Sequence, residues 1–515
     1  MTGLALLGMV MLVVMIFVIF IGFPISFTLL FLAFTFGYLG FGHTVVDLAY
    51  FQTIGMMKEE LLAAVPLFVL MGFLTEQAGL MERLFVAFRN ILAPLRGSLF
   101  AVVILTAAVF AMATGIVGAA VTVLGIMASP IMVKTGYDGK LSAGAITAGG
   151  TLGILIPPSV MLIVMGPVLG VSVADLYASA FGPGLMLACL YLGYLLGRAW
   201  LNPKLGPPVP KEERVHSMAT MLKEVAIGVV PLLALITAAL GSILAGLATP
   251  TEASAIGALG ALLLTIAYGR LTYQGVKRAL LNTTATSSMV LFLAVTSNIF
   301  GAVFARMGTA NWITETMLAL PLSPVMLLVV VLVLIFLLGW PFEWPAIVLV
   351  FLPIFYPVMD ALRPALAESL NIAPEMVMVW FGALVAVTLQ TAFLSPPVAM
   401  SAYYLRQVVK DWSLATIYKG MMEFMVLQVI AIAAIVAFPA IATWFPEKLQ
   451  AESRAIKTEE VEDAATLEDY QPSGGYGEAL REALEDMREE DALKNKEEEG
   501  ARDGLEKDEA TKAGK

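Results

Sequence analysis

Charge is scarce in this 515-residue chain. Only 14% of residues are Asp, Glu, Lys or Arg against 59% hydrophobic, a balance that excludes a soluble globular protein and indicates an integral membrane one. Cysteine is nearly missing: Cys189 stands alone in an apolar run, so no internal disulfide can form. Histidine is limited to His43 and His216, each in a loop, which argues against a zinc protease site. No Ser/His pair at matching depth suggests hydrolysis. There is no GxxxxGK[ST] loop, so direct ATP hydrolysis by this chain is not expected. The amino terminus, MTGLALLGMVMLVVMIFVIFIGFP, lacks a basic n-region and reads as a first membrane helix, not a cleaved signal.

What the chain has in quantity is separate apolar runs of roughly 17–25 residues, each long enough to span a bilayer as a helix. This predicts an all-α polytopic membrane protein, not a barrel. The net charge of -10 is uneven. Residues 447–515 hold 22 acidic and 11 basic side chains, and the first 446 residues hold 18 and 19, so the acidity belongs to the tail. With no apolar run to build a core, that tail reads as an acidic disordered or solubilising segment, with a solvated helix around 476–496 as the alternative.

The order of elements suggests two halves. Residues 1–201 hold membrane helices at Leu4 to Phe20, Pro24 to Leu39 and Leu61 to Thr75, then an amphipathic stretch from Leu80 to Arg96 with Arg83, Arg89 and Arg96, which suits an interface. Residues 98–133 are apolar but interrupted near Thr114, Gly115 and Gly118, giving two short crossings or one re-entrant hairpin. A broken helix at 141–166 and a helix from Phe181 to Trp200 follow. A hydrophilic linker, 202–224, precedes residues 225–446, where the pattern returns: Val225 to Leu244, Glu252 to Tyr268, Leu280 to Phe304, a short interfacial piece, an interrupted stretch at 324–357, a broken helix at 376–405 and a last helix from Met421 to Phe445. Even the corners echo, GFPISFTL against ATPTEASAIGAL.

Five crossings plus one hairpin in each half would make the second half inverted relative to the first. With the amino terminus outside, cytoplasmic segments carry 16 of the 19 basic residues before the tail, leaving Lys58, Arg306 and Arg363 near outer ends. The positive-inside rule supports this topology. Both termini then face away from the cytoplasm.

The broken helices are the most informative stretches. GGTLGILIPPS carries Gly150, Thr151, Pro157, Pro158 and Ser159; LQTAFLSPPV carries Thr391, Ser395, Pro396 and Pro397. Proline has no backbone N–H and disfavours helix in the residue before it, so each pair frees carbonyls. Inside a bilayer such backbone persists only where protein buries it or where it lines a wet cavity. Two breaks in matching positions point to the binding site of a secondary transporter. Hydroxyls and freed carbonyls form an oxygen cage for a small hard cation, and helix N-termini suit a carboxylate. Thr114, Gly115, Gly150, Thr151 and Ser159 are expected to line one cation site; Gly339, Glu343, Thr391 and Ser395 line the other. Glu343 is singled out because an ionisable group in an apolar stretch costs about 2.5–3.5 kcal/mol unless paired or wet. Glu252, after a Thr-Pro pair at a helix start, reads as structural, and Arg306 as a snorkelling side chain. Gly, Ser and Thr also serve close helix packing, so each has a structural reading beside the functional one.

Together GGTLGILIPPSVMLIVMG, PLFVLMGFL, GYDGKLSAGAITAGG, TPTEASAIGALGALL and QTAFLSPPVAMSAYYL resemble the large membrane subunit of the tripartite ATP-independent periplasmic (TRAP) transporters, from about Leu4 to Pro446. The resemblance implies an elevator-type ion transporter fold, with the two hairpins and two broken helices forming a transport domain. It also implies a bacterial inner-membrane secondary transporter, not an enzyme. Sodium as coupling ion would drive uptake of an organic acid delivered by a periplasmic substrate-binding protein, with a small membrane subunit as a separate chain. No cofactor and no nucleic acid are expected. The family's first tip is commonly close to SGSS, and here reads ATGIVGAA, keeping Thr114-Gly115 and losing the serines; Glu343 stands where the second tip often has Asp. A stand-alone dicarboxylate/sodium or sodium/proton carrier of the same fold is the competing expectation, and an intramembrane enzyme or assembly scaffold a remote one.

Overall fold

Every regular element in the described residues, 3–209, 217–396 and 399–466 of a computed structural model, is helical. Among the described residues ten helices are long and apolar enough to cross a membrane. Large apolar side chains such as Phe17, Phe27, Phe31 and Leu263 project outward from them, an arrangement that water would penalise and hydrocarbon does not. The chain is a multi-span membrane protein. It divides into two units, 1–449 and 450–515, and of the second the described part is helical to Thr466.

The helices come twice in one order. The first series is Gly3–Phe20, Ile25–Phe41, the pair Thr44–Met57 and Ala64–Gln77, Leu80–Leu92, two hairpin arms Ser98–Thr114 and Val117–Lys134, the broken helix Gly139–Thr151 and Val160–Leu169, and a closing helix Val173–Leu201. The second series is Ala219–Leu244, Pro250–Ala267, Tyr273–Arg306, Thr309–Leu318, arms Pro324–Leu338 and Trp344–Leu370, the broken helix Pro374–Leu394 and Met400–Val408, and a closing helix Leu414–Ala437. Hydroxyl caps punctuate it in matched places. Ser172 accepts from Ala174 N and Asp175 N before one closing helix, and Ser413 accepts from Thr416 N before the other, each satisfying a backbone donor that a helix start leaves unpaired.

Three stretches differ from the sequence expectation. Helix Thr44–Met57 was not anticipated, because it is only 14 residues long and runs into Lys58, Glu59 and Glu60. Taken with the turn and helix that follow, positions 44–77 match the length of the unbroken 34-residue helix Tyr273–Arg306. The two lie antiparallel: Asn298 Nδ2 donates to the Gln52 carbonyl at 3.4 Å at one end, and Gly275 abuts the Gln77 side chain at the other. The 202–224 segment is not a free hydrophilic linker in its described parts. Its Gly206 and Leu205 carbonyls accept from Gly97 N (2.8 Å) and Asp138 N (3.0 Å). A helix already begins at Met218 and packs through Gly228 onto the Arg83 backbone of the amphipathic Leu80–Leu92. Lys211 and Arg214 lie outside the described residues. Finally, the expected last helix is two, Leu414–Ala437 and Ala440–Thr466, parted at Phe438 and Pro439, so the first residues of the acidic tail are helical. The helix considered at 476–496 lies outside the described residues.

Glycine sets the tightest contacts around the broken helices. A methyl group at Gly420 would come within 2.1 Å of the Lys140 carbonyl, and one at Gly144 within 2.6 Å of the Phe424 ring, so Gly139–Thr151 and Leu414–Ala437 lie backbone to backbone. Beside that seam Lys140 pairs with Glu423, which also receives the Tyr194 hydroxyl and has Arg198 Nη1 at 3.5 Å. Pro374–Leu394 is enclosed on nearly every side, as a helix apolar all round must be to serve as core. Glu252 caps its own helix in a reciprocal box with Thr249, and Arg306 lies over the Phe41 ring at 5.1 Å.

Candidate ion and substrate site

At the first break, helix Gly139–Thr151 tightens into a 3-10 turn, Leu152–Ile154, and the chain then extends through Pro157 and Pro158, joined by a cis peptide, before Val160–Leu169 begins. Ser159 Oγ donates to the Ile154 carbonyl at 2.6 Å, and the Tyr177 hydroxyl donates to the Ser159 carbonyl at 3.4 Å. The break is buried throughout, so the protein supplies the partners that lipid would not.

The first hairpin tip lies on this break. Between its arms Gly115 takes a left-handed backbone, φ +60°, which a residue with a Cβ adopts at a cost. A side chain there would come 3.7 Å from the Gly153 carbonyl oxygen and 3.8 Å from that of Pro158. Thr114 is held from the other side by Gly72, whose missing methyl leaves room for the Thr114 carbonyl. Its hydroxyl donates to the Phe110 carbonyl at 3.3 Å. Gly150 is different. Val121 of the second arm fills the space beside it, so its smallness serves helix packing.

The second tip repeats the placement. A methyl at Gly339 would lie 2.9 Å from the Cβ of Ala392, one residue from Thr391. Thr391 Oγ1 donates to the Thr388 carbonyl and Ser395 Oγ to the Thr391 carbonyl, both at 2.6 Å, with Met425 Sδ 3.3 Å from Ser395. A hydroxyl that donates to a carbonyl keeps its oxygen lone pairs, so these groups retain capacity to ligate a cation. Glu343 caps the start of the helix that leaves the tip, its carbonyl accepting from Ala346 N at 3.1 Å and Ile347 N at 3.3 Å. Its side chain is accessible, and among the described residues no cation pairs with it. Pro396 ends the described segment, and Pro397 lies outside the described residues.

Thus the structure brings Thr114 and Gly115 to Ser159's break, and Gly339 to the Thr391 break. Thr151 turns elsewhere: its hydroxyl donates to the Ala148 carbonyl at 2.8 Å and meets Gln390 Oε1, 239 positions away, at 3.4 Å. Sequence reasoning passed over three residues. Gln390, Gln428 and Tyr191 are fully buried polar side chains gathered near Thr151. Gln390 carried a usable signal, since it precedes its proline pair by the same interval as Thr151 precedes Pro157.

Residues 12–441 match the family model described as "Tripartite ATP-independent periplasmic transporter, DctM component". The chain is 29% identical over 434 residues to the sialic acid TRAP transporter large permease protein SiaM of Vibrio cholerae, covering 83% of this chain and 96% of that one. It is 28% identical over 372 residues to the C4-dicarboxylate TRAP transporter large permease protein DctM of Rhodobacter capsulatus, covering 69% and 80%. Among solved structures, the Alcanivorax borkumensis YdaH transporter superposes with a TM-score of 0.51 at 17% identity, covering 78% of this chain and 88% of that one, a likeness of fold alone.

Proposed function

The chain belongs to the DctM component family of the tripartite ATP-independent periplasmic transporters, and from this we propose that it is the large permease subunit of a sodium-driven importer of a carboxylate-bearing substrate. The observation that carries the reading is that each hairpin tip lies on a helix break, Gly115 on Gly153 and Pro158, Gly339 on Ala392 beside Thr391. Backbone oxygens released by the breaks, with the hydroxyls of Thr114, Thr391 and Ser395, offer the neutral hard ligands that sodium takes, Ser159 holds the Ile154 carbonyl in place, and Glu343 adds the one carboxylate at the tips. Thr151 and Gly150 support the first site from behind.

An inverted repeat follows from the same reading. The antiparallel pairing of 44–77 with Tyr273–Arg306, the matched members of the two series, is what a two-fold axis in the membrane plane would produce. The hairpins, broken helices and closing helices would then move as one transport domain against the remaining helices in an elevator cycle. Named relatives handle sialic acid and C4-dicarboxylates, so an organic acid is the substrate class, brought by a periplasmic binding protein to the outer face. A separate small membrane subunit would complete the complex in the bacterial inner membrane, with both termini periplasmic.

Uptake into proteoliposomes containing the large and small subunits tests this directly. Accumulation should require the binding protein together with an inward sodium gradient. Accumulation without the binding protein would instead favour a stand-alone carrier of this fold, and indifference to sodium would overturn the cation assignment.

A further inference from the structure

The two broken helices touch each other at one matched position. Thr151 stands six residues before Pro157 and Gln390 six before Pro396, and Thr151 Oγ1 lies 3.4 Å from Gln390 Oε1. Equivalent residues of two related segments meet only where the axis relating them passes. The same carboxamide oxygen receives Gln428 Nε2 at 3.5 Å from one closing helix, and Tyr191 comes in from the other, its ring edge-on to Phe424 at 5.1 Å. All four side chains are fully buried. Gln390 Nε2, Gln428 Oε1 and the Tyr191 hydroxyl have no partner in good hydrogen-bond geometry. Unpaired polar groups in a low-dielectric interior are costly, so small displacements that improve or worsen their geometry carry disproportionate energy.

The cluster sits between the two tip contacts. One to two residues beyond Thr151 are Leu152 and Gly153, the latter under Gly115; one to two beyond Gln390 are Thr391 and Ala392, the latter against Gly339. A shift of either break therefore reaches the other through the Thr151 to Gln390 contact. We propose that Gln390 is a positioning residue that couples the two tip-and-break sites, so that closing one around its cation favours the geometry the other needs. It touches neither tip, and it acts through Thr151 on one side and Thr391 on the other. The inference rests on the sodium reading above.

Sodium titration of the purified permease complex, followed by tryptophan fluorescence, is the test, because Trp340 and Trp344 flank Glu343 at the second tip. The unaltered protein should respond sigmoidally, with a Hill coefficient of about 2, and Gln390→Leu should lower it towards about 1 while both sites still bind. Gln390→Asn keeps the amide but draws it back from Thr151, and should fall between. A folded Gln390→Leu variant with an unchanged sigmoid overturns the proposal. So does failure of both variants to fold, which would make the cluster structural only. A wild-type protein that shows no sodium response is a separate outcome, which sinks the sodium assignment itself.

Discussion

At the first break Ser159 closes onto Ile154, Tyr177 closes onto Ser159, and the tip above needs a left-handed glycine; at the second, Ser395 closes onto Thr391 beside Met425, and the tip rests in ordinary helical backbone against one methyl group, that of Ala392. The first pair is a main-chain construction. The second is furnished by side chains, with Glu343 at its mouth and φ of -63° at Gly339. A main-chain site has its geometry fixed by bond rotations that no neighbour can restore once lost. A side-chain site can be altered in grades and repaired by a complementary change.

The largest effect expected from this contrast is at Gly115. Gly115→Val forces a β-branched residue into left-handed backbone, at about 1–2 kcal/mol, and drives its methyl groups beyond the Cβ towards the Gly153 and Pro158 carbonyl oxygens. Misplacing those oxygens should reduce sodium-driven uptake by about 100-fold, measured in proteoliposomes with the binding protein. Uptake within a few-fold of normal would show that the first tip does not build a site. Next in size is Glu343→Gln. It keeps shape and removes charge, and should raise the sodium concentration for half-maximal uptake by about tenfold, equivalent to about 1.4 kcal/mol of lost cation attraction. An unchanged sodium curve would leave Glu343 a helix cap that happens to be acidic.

Gly339→Ala should be milder and repairable. The added methyl meets the Cβ of Ala392 at 2.9 Å, with the Phe336 carbonyl oxygen at 3.1 Å and the Ala392 Cα at 3.3 Å, so uptake should drop several-fold and largely return when Ala392→Gly is added, which removes the nearest contact. Non-additivity of that kind is expected only of residues in contact. No single substitution should rescue Gly115→Val in the same way. Recovery there by a small neighbour would erase the distinction between the two tips.

How much of this was legible in the sequence depends on what each feature needs. The broken helices, the hairpins and the recurrence of order could be read because proline pairs and apolar runs act through the chain's own covalent geometry. The structural place of Glu252 at a helix start after Thr249-Pro250 was legible for the same local reason, though its reciprocal box with Thr249 comes from the structure. Gln428 and Tyr191 were not, and Gln390 only through its interval to Pro396, because a buried polar cluster is assembled from separate helices, Gln390 lying 239 positions from Thr151 and 38 from Gln428, and each remaining member alone reads as a stray polar residue in an apolar run. Thr44–Met57 escaped for a different reason: its pairing partner, Tyr273–Arg306, supplies the packing that its own short length lacks. Gly150 was legible as special, and Val121's position adds the crowding beside it that favours the packing role the sequence had left open.

The smallest expected effect separates the two serines. Ser159 is fully enclosed, and its hydroxyl gives the Ile154 carbonyl a 2.6 Å bond in a stretch where helix hydrogen bonding has been interrupted. Ser159→Ala leaves that carbonyl buried, which costs about 1–3 kcal/mol, so it should lower the melting temperature of the detergent-solubilised protein while sodium affinity changes little. Ser395 also donates to a carbonyl, that of Thr391, but it stands beside a soft thioether at the site that already carries Glu343. Ser395→Ala should therefore shift the half-maximal sodium concentration two- to threefold, about 0.5 kcal/mol, with a smaller loss of thermal stability than Ser159→Ala. The contrast fails if the two variants move melting temperature and sodium affinity in the same proportion, since both breaks would then draw equally on main chain and side chain.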